Sequence, residues 1–229
     1  MQVNLFGDVH GDYKALPFLD QERTIQLGDL NLYGYDLWYC LNKMGEHDSL
    51  PYEFENKVMF VDGNHDKIND LNLDAPAPYT VAPNLFHIPR GYVSDKVLFV
   101  GGGDSIDKMY RVPGESWFKE EMISRDQIDR ICQVGRKDID VVVSHDVPYM
   151  ALDGIPLPFG IKRPMPVALA LDEIFMALRP SLWIFAHYHF SHRITREGCD
   201  FICLDIGESM EIDIPIAEDF FHLKEGESV

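Results

Sequence analysis

Residues 3–12 read VNLFGDVHGD: a mostly apolar run, a glycine, and then two carboxylates and a histidine within five positions. A short run of this kind, rich in β-branched and aromatic residues, reads as a buried strand that ends by delivering polar side chains. The pattern recurs along the chain. TIQL (24–27) precedes Gly28-Asp29, VMFV (58–61) precedes Gly63-Asn64-His65-Asp66, and VLFV (97–100) precedes three glycines. DVVVS (140–144) leads to His145, and LWIFA (182–186) leads to His187-Tyr188-His189. Segments of helical period lie between several of these runs, at Tyr33 to Met44, Ser124 to Val134 and Val167 to Leu178. Ser124 suits an N-cap, and Arg179-Pro180 stops the last segment. Strands alternating with helices predict an α/β architecture whose site lies beyond the strand ends.

Two stretches interrupt the pattern. Residues 74–83 (DAPAPYTVAP) and 148–166 are dense in proline and read as loops, because proline blocks both ladders and helices. The second follows His145 closely and is expected to border the mouth of a site there. Near the C-terminus MEIDIPI (210–216) alternates as an edge strand would, and an edge tolerates its proline. No repeat or low-complexity linker divides the chain, so residues 1–229 are expected to form a single domain.

The balance of charge narrows the partners. The 229 residues carry 20 Lys and Arg against 38 Asp and Glu, a formal net charge of −18. Basic runs are no longer than two residues, as at Arg136-Lys137 and Lys162-Arg163. That disfavours a long nucleic acid, whose binding depends on neutralised phosphates. No apolar stretch is long enough to span a membrane. The opening MQVNLFGDVH lacks the pattern of a secretory signal, and the four cysteines (Cys40, Cys132, Cys199, Cys203) form no CxxC pair. Reduced cysteines and a cytoplasmic location are expected.

A single D-x-H match such as Asp8-Val9-His10 carries little weight, since about one would arise by chance in a chain of this composition. The ensemble carries more. Five of the nine histidines directly follow strand-like runs, and parallel strands ending at one edge would gather them. Asp8, His10, Asp29, Asn64, His145, His187 and His189 offer oxygen and imidazole donors and no thiolate. Seven such ligands exceed one ordinary site and suit two divalent metals sharing a carboxylate.

The order and wording of GDVHGD, GDLNLYG, GNHD, SH and AHYH resemble the five motifs of the calcineurin-like metallophosphoesterase superfamily, matched from residue 8 to residue 189. The segment 101–121 further resembles small single-domain bacterial and phage members. The resemblance implies two stacked mixed β-sheets flanked by helices, with the site at the C-terminal ends of the strands. It makes Asp8, His10 and His189 ligands of one metal and Asn64, His145 and His187 ligands of the other, with Asp29 bridging. His65 would stand beside the phosphate, protonating the leaving group or stabilising the transition state. Manganese is the expected metal, with iron or zinc as alternatives. The implied activity is hydrolysis of a phosphomonoester or phosphodiester by a metal-bridging hydroxide, on a nucleotide-like small molecule. A Ser/Thr phosphoprotein phosphatase and a non-catalytic interaction module keeping the fold are the alternatives.

The chain departs from the family pattern at three places. Ala186 stands where the last motif usually has Gly. Leu32-Tyr33-Gly34 replaces the Asp-Arg-Gly of the protein phosphatases, and Asp66 replaces their Glu. Lys108 and Arg111 are candidate contacts for substrate phosphate beside Asn64, with surface charge as the alternative. Trp117-Phe118 is expected to pack in the core, Gly101-Gly102-Gly103 to form a tight turn, and His47, His87, His192 and His222 to be structural or exposed.

Overall fold

The computed structural model describes residues 1–12, 14–31, 54–66, 68–136, 138–152 and 165–223. The segment Tyr33 to Met44, Cys40, His47 and most of the proline-rich stretch after Leu152 lie outside them. Two six-stranded sheets form the scaffold among the described residues. The first contains β1 (Gln2–Phe6), β2 (Thr24–Gln26), β3 (Val58–Phe60), β4 (Tyr79–Ala82), β5 (Leu85–His87) and β12 (Ser209–Asp213), in the order β12-β1-β2-β3-β5-β4. The second contains β6 (Val93–Ser94), β7 (Val97–Val100), β8 (Val141–Ser144), β9 (Leu182–Phe185), β10 (His192–Arg196) and β11 (Cys199–Cys203), in the order β10-β11-β9-β8-β7-β6. In each sheet the inner strands run parallel and both edge strands are antiparallel. Both sheets are therefore mixed.

Side-chain alternation assigns the two faces of each sheet. Val3, Leu5, Ile25 and Met59 meet Val97, Phe99, Val143 and Ile184 in a core between the sheets. The opposite pleats of the second sheet, such as Leu98, Val142, Trp183 and Phe201, pack against α2 (Arg125–Cys132) and α4 (Pro166–Leu178). Phe6, Val58, Phe60 and Leu85 of the first sheet pack outward against the short α1 (Leu16–Leu19). Strands with both faces covered read as continuous apolar runs, as they do here. No helix among the described residues is long and apolar enough to cross a membrane.

Six sequence-predicted strands form where expected, and α2 begins after Ser124, whose side chain accepts from Gln127 N. The expected loop at 74–83 instead contains β4, because Tyr79–Ala82 falls between prolines and pairs only on one side, with a register shift at Thr80/Ala82. An edge strand tolerates such neighbours. The 148–166 loop likewise begins with a short helix, α3 (Tyr149–Leu152), and Pro166 is the first residue of α4. Proline is accommodated there because the first helical N–H has no intrahelical partner.

Candidate metal centre

Five parallel strand ends build the site from both sheets. Asp8 and His10 follow β1, Asp29 follows β2, Asn64 and His65 follow β3, His145 follows β8, and His187 and His189 follow β9. His10 N donates to Asp29 O at 2.8 Å, tying the first two loops, and His187 N donates to Asp8 Oδ1 at 3.2 Å, tying the sheets. His10, Asp29, His187 and His189 all adopt left-handed backbone conformations, with φ of 48°, 55°, 70° and 56°. Such conformations are sparsely populated outside glycine and concentrate at functional sites.

The side chains converge in two overlapping groups, Asp8-His10-Asp29-His189 and Asp29-His145-His187, with the donor atoms of each group within 4.8 Å of one another. Asp29 belongs to both. Its Oδ2 lies 3.7 Å from His10 Nε2, and its Oδ1 lies 3.4 Å from His145 Nε2. His10 Nε2 and His189 Nε2 approach to 2.8 Å, and Asp8 Oδ2 is 3.1 Å from the latter. In the second group His187 Nδ1 lies 3.1 Å from His145 Nε2, and Asn64 Oδ1 lies 3.3 Å from it. Asp8 Oδ2 and Asp29 Oδ2 are buried and accept no hydrogen bond. Buried carboxylate oxygens that accept no hydrogen bond are costly unless a cation lies beside them. The donor set therefore fits divalent metal.

The electrostatics agree with that fit. Burial pushes the Asp29 carboxyl up, but His145, His65 and His10 hold it well below the usual carboxylate range. Asp8 is likewise raised by burial and lowered further by His10 and His189. Burial lowers His145, yet Asp29 and Asp8 carry it up to about 10. A protonated imidazole thus neutralises the carboxylates where a dication would do so.

Neighbouring groups orient these ligands. His145 Nδ1 lies 2.7 Å from Leu27 O, which turns Nε2 toward Asp29 and Asn64. Asn64 Nδ2 donates to Ser105 Oγ at 3.3 Å, and Ser105 in turn donates to the buried Glu121. Asp66 accepts from the backbone N–H groups of Asn31, Gly63 and Asp29 at 2.6, 2.8 and 3.1 Å, clamping the β2 and β3 loops together. Such supports fix ring orientation and ligand basicity. Gly63 is required because a Cβ there would fall 2.2 Å from Asp29 Oδ1. Ala186 fits without strain, buried in the core between the sheets.

His65 stands beside the first group, its ring 4.7 Å from that of His10, and its backbone N–H donates to Asp29 Oδ1 at 2.7 Å. Its side chain meets Arg111, whose Nη2 is 2.8 Å from His65 Nε2. Arg111 also donates to Asn64 O at 3.0 Å and pairs with Asp107 at 2.7 Å. Burial, reinforced by the guanidinium charge, lowers His65 to about 4. Lys108 sits elsewhere, its ammonium 3.7 Å from the centre of the Trp117 ring. Phe118 is in the core as expected, whereas Trp117 is half-buried in a cleft wall. The sequence reading missed the orienting roles of Ser105, Glu121 and Asp66. Only Asp66, inside a motif, carried a local signal.

A search of curated proteins finds no match. Among solved structures, phosphopantetheinyl hydrolase from Mycobacterium tuberculosis is similar at 15% identity, covering 90% of each chain with a TM-score of 0.43. The family model for calcineurin-like phosphoesterases matches residues 1–191, a span that contains every strand end described above. With mixed stacked sheets and two Asp/His groups behind that match, the chain belongs to the calcineurin-like phosphoesterase family.

Proposed function

We propose that the protein hydrolyses a small phosphomonoester or phosphodiester, of about nucleotide size, at two divalent metal ions. The observation that carries this reading is Asp29, which belongs to both groups and whose two oxygens face different histidines. Asp8, His10 and His189 would hold one ion, and Asn64, His145 and His187 the other. When bound, such ions supply Lewis-acid charge to a phosphoryl oxygen and bring the pKa of water toward neutrality. The oxygen and imidazole donors suit manganese, with iron or zinc as alternatives.

The protein's own groups complete the chemistry. Arg111 contributes a fixed positive charge beside His65, suited to the charge that develops on a phosphoryl group. His65, held neutral at pH 7 by burial and by Arg111, acts as a hydrogen-bonding group rather than as an imidazolium acid. Asp66 is engaged with three backbone amides, so His65 has a cationic neighbour where an acidic partner would otherwise stand. The free thiols Cys132, Cys199 and Cys203 are consistent with a reducing, cytoplasmic setting.

The test is release of p-nitrophenol from p-nitrophenyl phosphate and bis-p-nitrophenyl phosphate, with Mn²⁺ and with a chelator. Turnover should require metal. Asp29→Asn should lose bound metal and turnover together. His65→Ala should retain metal by elemental analysis and lower kcat by about 10²-fold or more, and Arg111→Ala should lower it by about 10²-fold. Metal-loaded protein silent on both esters would favour the interaction module instead.

A further inference from the structure

We propose that the cleft beside the metal centre receives the organic group of the ester and selects an apolar one; this rests on the phosphoesterase reading above. The cleft has a volume of about 630 Å³, within the usual range for small-molecule sites. Its inner end is the wall of the metal centre. Gly103 lies so near that a Cβ there would fall 2.8 Å from His145 Cδ2 and 3.1 Å from Asn64 Oδ1. Ser105, also in the lining, accepts from Asn64 Nδ2. A molecule filling this space lies next to the side chains that would address a phosphoryl group.

The lining sets the chemistry of that group. Ile106, Met109, Met122, Met165, Pro166 and Trp117 supply the apolar part of the wall. Thioethers and an indole adapt to alkyl chains and flat rings alike. Lys108 is the cation of the lining among the described residues, and its ammonium already covers a face of Trp117. Glu121 and Asp104 add carboxyl groups to the lining. At the rim Met109 is 80% exposed and Ile106 45% exposed, followed in sequence by Tyr110 and Val112 at 83% and 51%. Clustered exposed apolar side chains mark a binding surface. The shared neighbours Gly103 and Ser105, which line the cleft and lie against His145 and Asn64, favour an occupant joined to the phosphate over a docked protein segment.

The experiment is calorimetric titration of the Mn²⁺-loaded full chain with n-hexylphosphonate and with methylphosphonate, which share a headgroup and differ in apolar length. Wild-type protein should bind the hexyl compound at least about tenfold more tightly, since buried methylenes favour association. That preference should fall to about threefold or less in Trp117→Ala and in Met109→Asp, the latter at an exposed position where folding is not at stake. Equal affinity of wild-type protein for the two phosphonates would overturn the proposal, as would a preference that survives both substitutions. The same preparation is assayed on p-nitrophenyl phosphate and bis-p-nitrophenyl phosphate. Turnover with equal phosphonate affinities would reject the apolar cleft alone, whereas neither turnover nor phosphonate binding would reject the phosphoesterase reading with it.

Discussion

His145 is fully buried between two carboxylates, and as a proposed ligand its charge state would couple metal binding to pH. Desolvation lowers its pKa, but Asp29 and Asp8 raise it to about 10 in the metal-free protein. Because this folded value lies above the unfolded one of about 6.5, the proton stabilises the metal-free fold below that pH, and the effect is lost as pH rises through about 10. An imidazole must be neutral to bind a metal, so loading with Mn²⁺ at pH 7.5 should release about one proton per molecule. Calorimetry in two buffers of different ionisation enthalpy measures this, and identical heats would contradict it. At this scale much was legible: all seven proposed ligands lie at strand ends, where the sequence reading put them. Arg111 was legible only as a nearby charge, because its contact with His65 spans 46 positions that no local pattern links.

Among the elements, the boundaries of α2 follow from local chemistry alone. Ser124 accepts from Gln127 N at 3.2 Å, and Gln127 reaches back to Ser124 N at 2.9 Å. This reciprocal cap satisfies N–H groups that the first turn leaves unpaired. Ser124→Ala should cost about 1 kcal/mol and lower Tm by about 2–4 °C, with turnover of p-nitrophenyl esters unchanged. Thermal unfolding beside an activity assay checks it, and a loss of turnover would show that α2 reaches the site. The strand runs were equally readable because both faces of each inner strand are buried. β4 and α3 were not, since their prolines flank each element and the feature that permits them is position: an edge for β4, and the turn just after Pro148 for α3.

Across the whole molecule, a buried charge cluster where β3 and β5 end adds to the apolar core between the sheets. Asp62, at the end of β3, accepts from Arg90 Nε at 3.0 Å and Nη2 at 2.5 Å, and lies 3.2 Å from His87 Nε2. Arg90 continues to Met122 O at 3.1 Å, beneath the cleft. Burial alone would raise the Asp62 pKa, but Arg90 and His87 hold it well below the usual carboxylate range. A depressed carboxylate contributes stability above its unfolded pKa of about 3.9, and that contribution is lost as pH falls toward the folded value. Asp62→Asn should therefore destabilise by about 3–5 kcal/mol, with a constant difference from wild type above about pH 5 that shrinks below about pH 4. Denaturant unfolding across pH 3–8 measures it, and a difference that grew in acid would refute the assignment. The sequence by itself determined the strand runs, the polar residues at their ends and the candidate ligand residues among them, because periodicity and strand termini are local properties of the chain. Only the tertiary structure decided which strands share a sheet, that Arg111 reaches His65, and that methionines from distant segments enclose one cleft. Those features depend on which partners lie across the fold, and local periodicity carries no record of long-range partners.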